Sequence, residues 1–218
     1  MNKVICIYPF DKSTTFLLPI YKVLSSVSKF KGLAFDTTNE NCKKIIYSEI
    51  ESSTENDLII FLGHGCSLGL YGSPKNGELE LIFDNKNSLL NNKKLLLLSC
   101  RSSEFMESLI SHSIGFGNIP TDYQEICEDE IIGCSNFSFS INQTMIEQYK
   151  KSLVQSMCKT IQYINWESFC LNNLYNLIKL FINKEIQAVL ENKQISERRF
   201  IADMLYDLKT NMRLQYKN

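Results

Sequence analysis

The sequence predicts an α/β protein: a mainly parallel sheet flanked by helices, with a hairpin insertion and a helical C-terminal extension. Three observations predict it. Short, unbroken apolar runs alternate with stretches of helical spacing through the first half of the chain. One interval instead holds an Asn-Gly turn between two strand-like runs, and from about residue 142 the spacing is helical to the end.

Each element follows from its own pattern. Val4 to Tyr8 is a continuous apolar run stopped by Pro9, which suits a buried strand. Phe16, Ile20, Leu24, Val27 and Phe30 predict a helix over roughly 14–30, with Pro19 tolerable in its first turn. Leu33 to Phe35 is a second strand. Thr37 and Glu40 stand as a capping box for a helix whose apolar face is Cys42, Ile46 and Ile50. Leu58 to Leu62 is the third strand and stops at Gly63-His64-Gly65. Leu70–Gly72 and Glu78–Phe83 flank Pro74-Lys75-Asn76-Gly77 as a hairpin. Lys94 to Leu98 is a fourth core strand ending at Ser99-Cys100. A helix with Phe105, Met106, Leu109 and Ile110 facing inward follows, then a fifth strand over 113–117. Residues 121–141 match no element pattern. Ile146, Tyr149, Leu153, Met157, Ile161 and Ile164 mark a long helix. Residues 168–190 are apolar around most of their circumference, as in a buried helix, and Ile201, Met204, Leu205, Leu208 and Met212 mark a last amphipathic one. The division this suggests is 1–164 and 165–218, the second part being helices packed on the first.

Composition limits the function classes. Of 218 residues 44% are apolar and 22% charged, enough apolar surface to exclude wholesale disorder. Twenty-three basic residues against twenty-four acidic leave a net charge of −1, so no basic surface for nucleic acid is indicated. Nine Gly and four Pro are few for a sandwich or barrel of tight turns. The eight cysteines include no C-x-x-C pair, which argues against a zinc ribbon or a disulfide framework. The N-terminal apolar run is too short for a signal peptide, and no run of about 18 apolar residues exists. The expectation is a cytoplasmic protein with reduced thiols, no membrane span and no cofactor.

In parallel sheets chemistry collects at the carboxyl ends of the strands. His64 ends the third strand and Cys100 the fourth. On neighbouring strands their side chains project from one edge, where the imidazole can act as base for the thiol and the following helix can favour the thiolate. Gly65 leaves its backbone N–H unshielded, and with the N–H of Cys100 it can form an oxyanion hole. Taken singly, each residue has a plainer reading: a lone histidine is more often a satisfied core residue.

The runs Leu58–Gly65 and Leu95–Cys100 resemble the two signatures of caspase-fold (clan CD) cysteine peptidases, in which His-Gly ends one core strand and a small residue plus Cys ends the next. The closest likeness is to bacterial CHAT-type proteases. Ser113–Asp122, with Ile114-Gly115-Phe116, is similar to their strand after the cysteine, and the helix with Tyr149 and Leu153 resembles the one that follows. The resemblance implies a caspase-like fold and a cysteine endopeptidase with Cys100 as nucleophile and His64 moving the proton. It also implies an S1 pocket after the fifth strand, where Asp122, Glu125 and Asp129 lie. An acid at Asp122 would there pair with an Arg or Lys in the substrate; the plainer reading is that these acids solvate a loop. Small bacterial members commonly cleave one partner protein, often in antiviral defence.

Other features carry plainer readings. His64 and Cys66 form a His-x-Cys pair without a second pair to complete a metal site. Gly63-His64-Gly65 lacks the Gly-Lys-Ser/Thr of a phosphate loop. Cys127 and Cys134 flank acids as ordinary thiols, and His112 opens a strand at an edge. The rival to the enzyme is a catalytically silent, caspase-like adaptor whose C-terminal helices bind a regulatory protein partner.

Overall fold

A computed structural model describes residues 3–36, 41–75, 78–121 and 142–217. Six strands form the main sheet: β1 (Val4–Pro9), β2 (Phe30–Phe35), β3 (Leu58–Leu62), β7 (Lys94–Leu98), β8 (His112–Gly115) and β9 (Arg213–Tyr216), in the order β2-β1-β3-β7-β8-β9. All neighbours are parallel except β9, which runs antiparallel to β8. A second, antiparallel sheet holds β4 (His64–Cys66), β5 (Gly69–Lys75) and β6 (Glu78–Asp84). The fold class is the predicted one: an α/β sheet, mostly parallel and flanked by helices, with a hairpin insertion and a helical C-terminal region.

The continuous apolar runs make sense once both faces of the sheet are covered. Successive side chains point to opposite faces, so each central strand feeds two cores. Val4, Cys6, Tyr8, Leu58, Ile60, Leu62, Leu96 and Leu98 join one core. Helices α1 (Leu18–Leu24), α4 (Gln143–Tyr163), α5 (Leu171–Glu191) and α6 (Arg198–Asn211) cover that face. Ile5, Ile7, Ile59, Phe61, Leu95 and Leu97 join the other core, under α2 (Cys42–Glu51), the β5–β6 hairpin and the segment after α3 (Ser102–Phe105). Fully burying such side chains stabilises by about 1.5–3 kcal/mol each, before the entropy of ordering them.

Several elements differ from expectation. The helix over 14–30 is a 3-10 turn at Thr15–Leu17 and then α1, with Pro19 in the first turn as expected. The hydroxyls of Ser25 and Ser26 donate to the carbonyls of Lys22 and Val23, satisfying the last turn, and Lys29 at φ 61 turns the chain into β2. The helix after Cys100 is only α3 and a 3-10 turn at Met106–Ser108. Ser102 Oγ there bonds to the Leu97 carbonyl at 2.6 Å, and Ser108 Oγ bonds back to the Phe105 carbonyl at 2.7 Å, the competition for backbone groups that shortens helices. Phe105, Met106 and Leu109 are buried, but Ile110 is 50% exposed.

Helix α5 buries one face, with Leu171, Leu174, Ile178 and Ile182 inside, while Leu180 and Leu190 are exposed. It is amphipathic rather than buried all round. The chain does not end in helix: β9 pairs with β8, and Gln215 Nε2 donates to the carbonyls of Met106 and Leu109. His112 consequently lies inside the sheet, its ring 5.3 Å from that of Tyr216, and not at an edge. The two strands of the hairpin stand where expected, with Lys75 opposite Glu78; Asn76 and Gly77 lie outside the described residues, as do Thr37 and Glu40. Among the described residues no helix is long and apolar enough to cross a membrane.

Candidate active site

Strand register places the two candidate residues level. Leu62 of β3 is paired with Leu98 of β7, and His64 and Cys100 each lie two residues beyond that pair, at the carboxyl edge. The structure brings them together: His64, Gly65, Ser99 and Cys100 line one cleft.

His64 does not simply end β3. It opens β4, which crosses to the second sheet and turns back at Ser67-Leu68 into β5. Cys66 and Gly69 close that two-residue turn, so the alternation of an antiparallel ladder makes Gly65 opposite Leu70 a non-hydrogen-bonded pair. The Gly65 N–H therefore points away from β5, as an oxyanion donor requires. Glycine is needed here. A Cβ on Gly65 would sit 2.6 Å from Ser99 Oγ and 2.9 Å from the Cys100 carbonyl oxygen.

The side chain that fixes His64 is Asp11, a residue the sequence analysis does not single out. Asp11 follows β1, on the other side of β3 from β7. Its Oδ1 accepts from the backbone N–H groups of Ser13 (2.8 Å) and Thr14 (2.9 Å) and from Ser13 Oγ (2.8 Å). Its Oδ2 lies 2.6 Å from His64 Nε2. Burial alone would raise the Asp11 pKa. The bonds from His64, Thr14 and Ser13 outweigh it and hold the carboxyl below the usual carboxylate range.

This network settles the tautomer. An ionised carboxylate only accepts, and the Ser13 hydroxyl proton is spent on Asp11, leaving Ser13 Oγ as an acceptor 3.1 Å from the same Nε2. Nε2 must carry the proton. The basic lone pair of the neutral imidazole is on Nδ1.

Cys100 sits on a sharp turn. Arg101 has φ 51, a left-handed conformation that costs a non-glycine residue on the order of 1 kcal/mol. It is held there by its own N–H to the Gly117 carbonyl and by Ser103 N–H to the Phe116 carbonyl, both 2.9 Å. The Cys100 thiol donates to the Ile119 carbonyl at 3.1 Å and accepts from the Ile119 N–H at 3.3 Å. The helix expected to favour the thiolate is α3, four residues with Arg101 at its N-cap position and no side-chain cap, so its dipole is small; the N–H and carbonyl of Ile119 both face the sulfur.

The cleft continues into a second cavity that shares His64 and Thr121 and adds Asp11, Lys12, Glu147 and Lys150. Lys150 Nζ bonds to Glu147 Oε1 (2.8 Å) and to the Thr121 carbonyl (2.9 Å), tying α4 to the segment that holds the thiol. Asp122, the expected specificity acid, lies outside the described residues, as do Glu125, Asp129, Cys127 and Cys134. Cys66 Sγ lies 3.5 Å from Tyr71 Oη, a contact that, with burial, pushes the tyrosine pKa up to about 12. The described cysteines are free thiols. The chain matches none of the protein-family models or curated proteins with which it was compared.

Proposed function

We propose that this chain is a cysteine endopeptidase acting through His64 and Cys100, with Asp11 as the residue that positions the histidine. One observation carries the reading. An aspartate-fixed histidine and a cysteine on a strained turn line one cleft, from the carboxyl ends of three neighbouring strands.

Nδ1 of His64 takes the thiol proton, and Sγ turns from Ile119 to attack the scissile carbonyl carbon. The oxyanion is held by the backbone N–H groups of Gly65 and Cys100. The imidazolium, stabilised by Asp11, gives its proton to the leaving amine, and a thioester to Cys100 remains. Water then attacks that thioester, His64 accepts its proton, and the proton returns to sulfur as the acid product leaves. The substrate is a specific partner protein, in the manner of the small bacterial proteases that the two signatures resemble.

The competing reading is a silent adaptor. It draws on apolar surface left on the C-terminal helices, where Tyr163 of α4 and Leu180 of α5 are exposed beside one shallow cavity. Co-expression with proteins encoded by adjacent genes separates the two. The peptidase reading expects one partner to acquire a new N-terminus with wild type and not with Cys100→Ala or His64→Ala. A stable complex formed equally by wild type and Cys100→Ala, with no cleavage, would support the adaptor.

A further inference from the structure

Resting on the peptidase reading, we propose that the cleft between His64 and Cys100 takes an uncharged aliphatic side chain, Leu or Met in size, from the residue before the scissile bond.

The walls argue for it. Leu17 follows β1, Leu98 ends β7 and Ile119 follows β8; all three are buried core residues whose carbons line the cleft. Among the described residues Phe16 and Leu79 add apolar wall, the first from the turn before α1 and the second from β6, with Ser99 and Thr121 beside them. Lys150 Nζ lies 5.1 Å from the centre of the Phe16 ring, outside the lining described, and bonds to Glu147 and the Thr121 carbonyl. The hydroxyl of Thr14, also in the lining, accepts from the Asp11 N–H at 2.9 Å and is held away from a ligand. A charged side chain entering here would exchange its hydration for carbon.

Size narrows the choice. The cavity measures about 130 Å³. An apolar protein cavity of about 150 Å³ accepts benzene, six carbons. The four non-hydrogen atoms of a Leu or Met side chain fit within it, while the seven of Arg or Phe extend beyond the apolar walls. Charged groups elsewhere on the substrate have a separate place in the adjoining polar cavity beside Lys12 and Glu147.

The test uses four peptidyl acyloxymethyl ketones that differ only in the residue before the ketone: Leu, Met, Arg or Asp. Each alkylates a thiolate with loss of a carboxylate, and mass spectrometry reads the rate at Cys100 in the full chain. Leu and Met are expected to label Cys100 faster than Arg and Asp by roughly tenfold or more. Leu79 is exposed at the mouth, so Leu79→Glu should fold, and it should raise the Arg-to-Leu ratio by roughly tenfold. Faster labelling by Arg in the wild type, as an Asp122 carboxylate in this cleft would give, overturns the inference and leaves the peptidase reading standing. An Arg-to-Leu ratio unchanged by Leu79→Glu overturns the placement in this cleft. Failure of every probe to label Cys100 above the exposed Cys170 overturns both.

Discussion

The Oδ2 atom of Asp11 stands 2.6 Å from Nε2 of His64, across the carboxyl ends of the neighbouring parallel strands β1 and β3. A carboxylate at that nitrogen fixes ring orientation and tautomer together, and it stabilises the imidazolium formed when the thiol is deprotonated. Its own placement depends on the Asp11–Thr14 turn, which uses the other oxygen.

Asp11→Asn keeps the shape and removes the charge, and its amide can present an N–H to Nε2 and reverse the tautomer. Alkylation of Cys100 is expected to slow by roughly two orders of magnitude, with a changed pH–rate profile. The profile matters because a purely structural role would leave it alone. An unchanged rate and profile would remove Asp11 from the site.

The same carboxyl gives a pH dependence of stability. Its pKa is lowered by folding, so its contribution is complete above the unfolded value near 4 and is lost progressively as pH falls through its own lower value. Denaturant titrations of wild type and Asp11→Asn from about pH 5 downward should therefore give a gap in unfolding free energy that narrows as the pH falls. A gap that does not narrow as the pH falls below about 4 would contradict the network.

Gly65→Ala should destabilise by about 1–3 kcal/mol. Ser99 Oγ, one of the three atoms its Cβ would meet, belongs to a side chain that can rotate, but Ser99 Cβ and the Cys100 carbonyl oxygen, each 2.9 Å away, are fixed by the backbone of the strained turn. Thermal denaturation measures the loss, and the alkylation rate at Cys100 should fall with it. Wild-type stability in the variant would mean that β4 passes the turn less closely.

Ser99→Ala goes the other way. Ser99 Oγ is buried and has no hydrogen-bond partner among the described residues, so its removal takes away an unmet polar group and leaves the Cβ packing. Stability should be unchanged or raised by up to about 1 kcal/mol. A clear loss would show that the hydroxyl is bonded after all.

Legibility in the sequence followed burial. Strands β3 and β7 lie where their apolar runs begin and end, because a strand covered on both faces needs an unbroken run and tolerates no polar interruption. Their register then carries His64 and Cys100 to one edge, which is why two residue types at two strand ends were enough to find the cleft. Asp11 was legible in principle: Asp11-Lys12-Ser13-Thr14 is a turn signature at the end of a third strand on the same edge. Nothing in local spacing says that β1 lies on the far side of β3. β9 escaped for the same reason, since Arg213–Tyr216 becomes a strand only by pairing with His112–Gly115, about a hundred residues earlier. Helix α1 was overextended because Val27 and Phe30 keep helical spacing while packing from a loop and from β2 against the same core.

The rate of iodoacetamide alkylation at each cysteine, in wild type and in His64→Ala, tests the peptidase reading most directly. Burial pushes the thiols of Cys6 and Cys158 up in pKa, so both should react slowly, and exposed Cys170 sets the rate of an accessible thiol. The account predicts that half-buried Cys100 reacts faster than Cys170, and that His64→Ala lowers its rate by roughly tenfold or more without changing the other three. A Cys100 no faster than Cys6 or Cys158, or one indifferent to His64, would contradict the account.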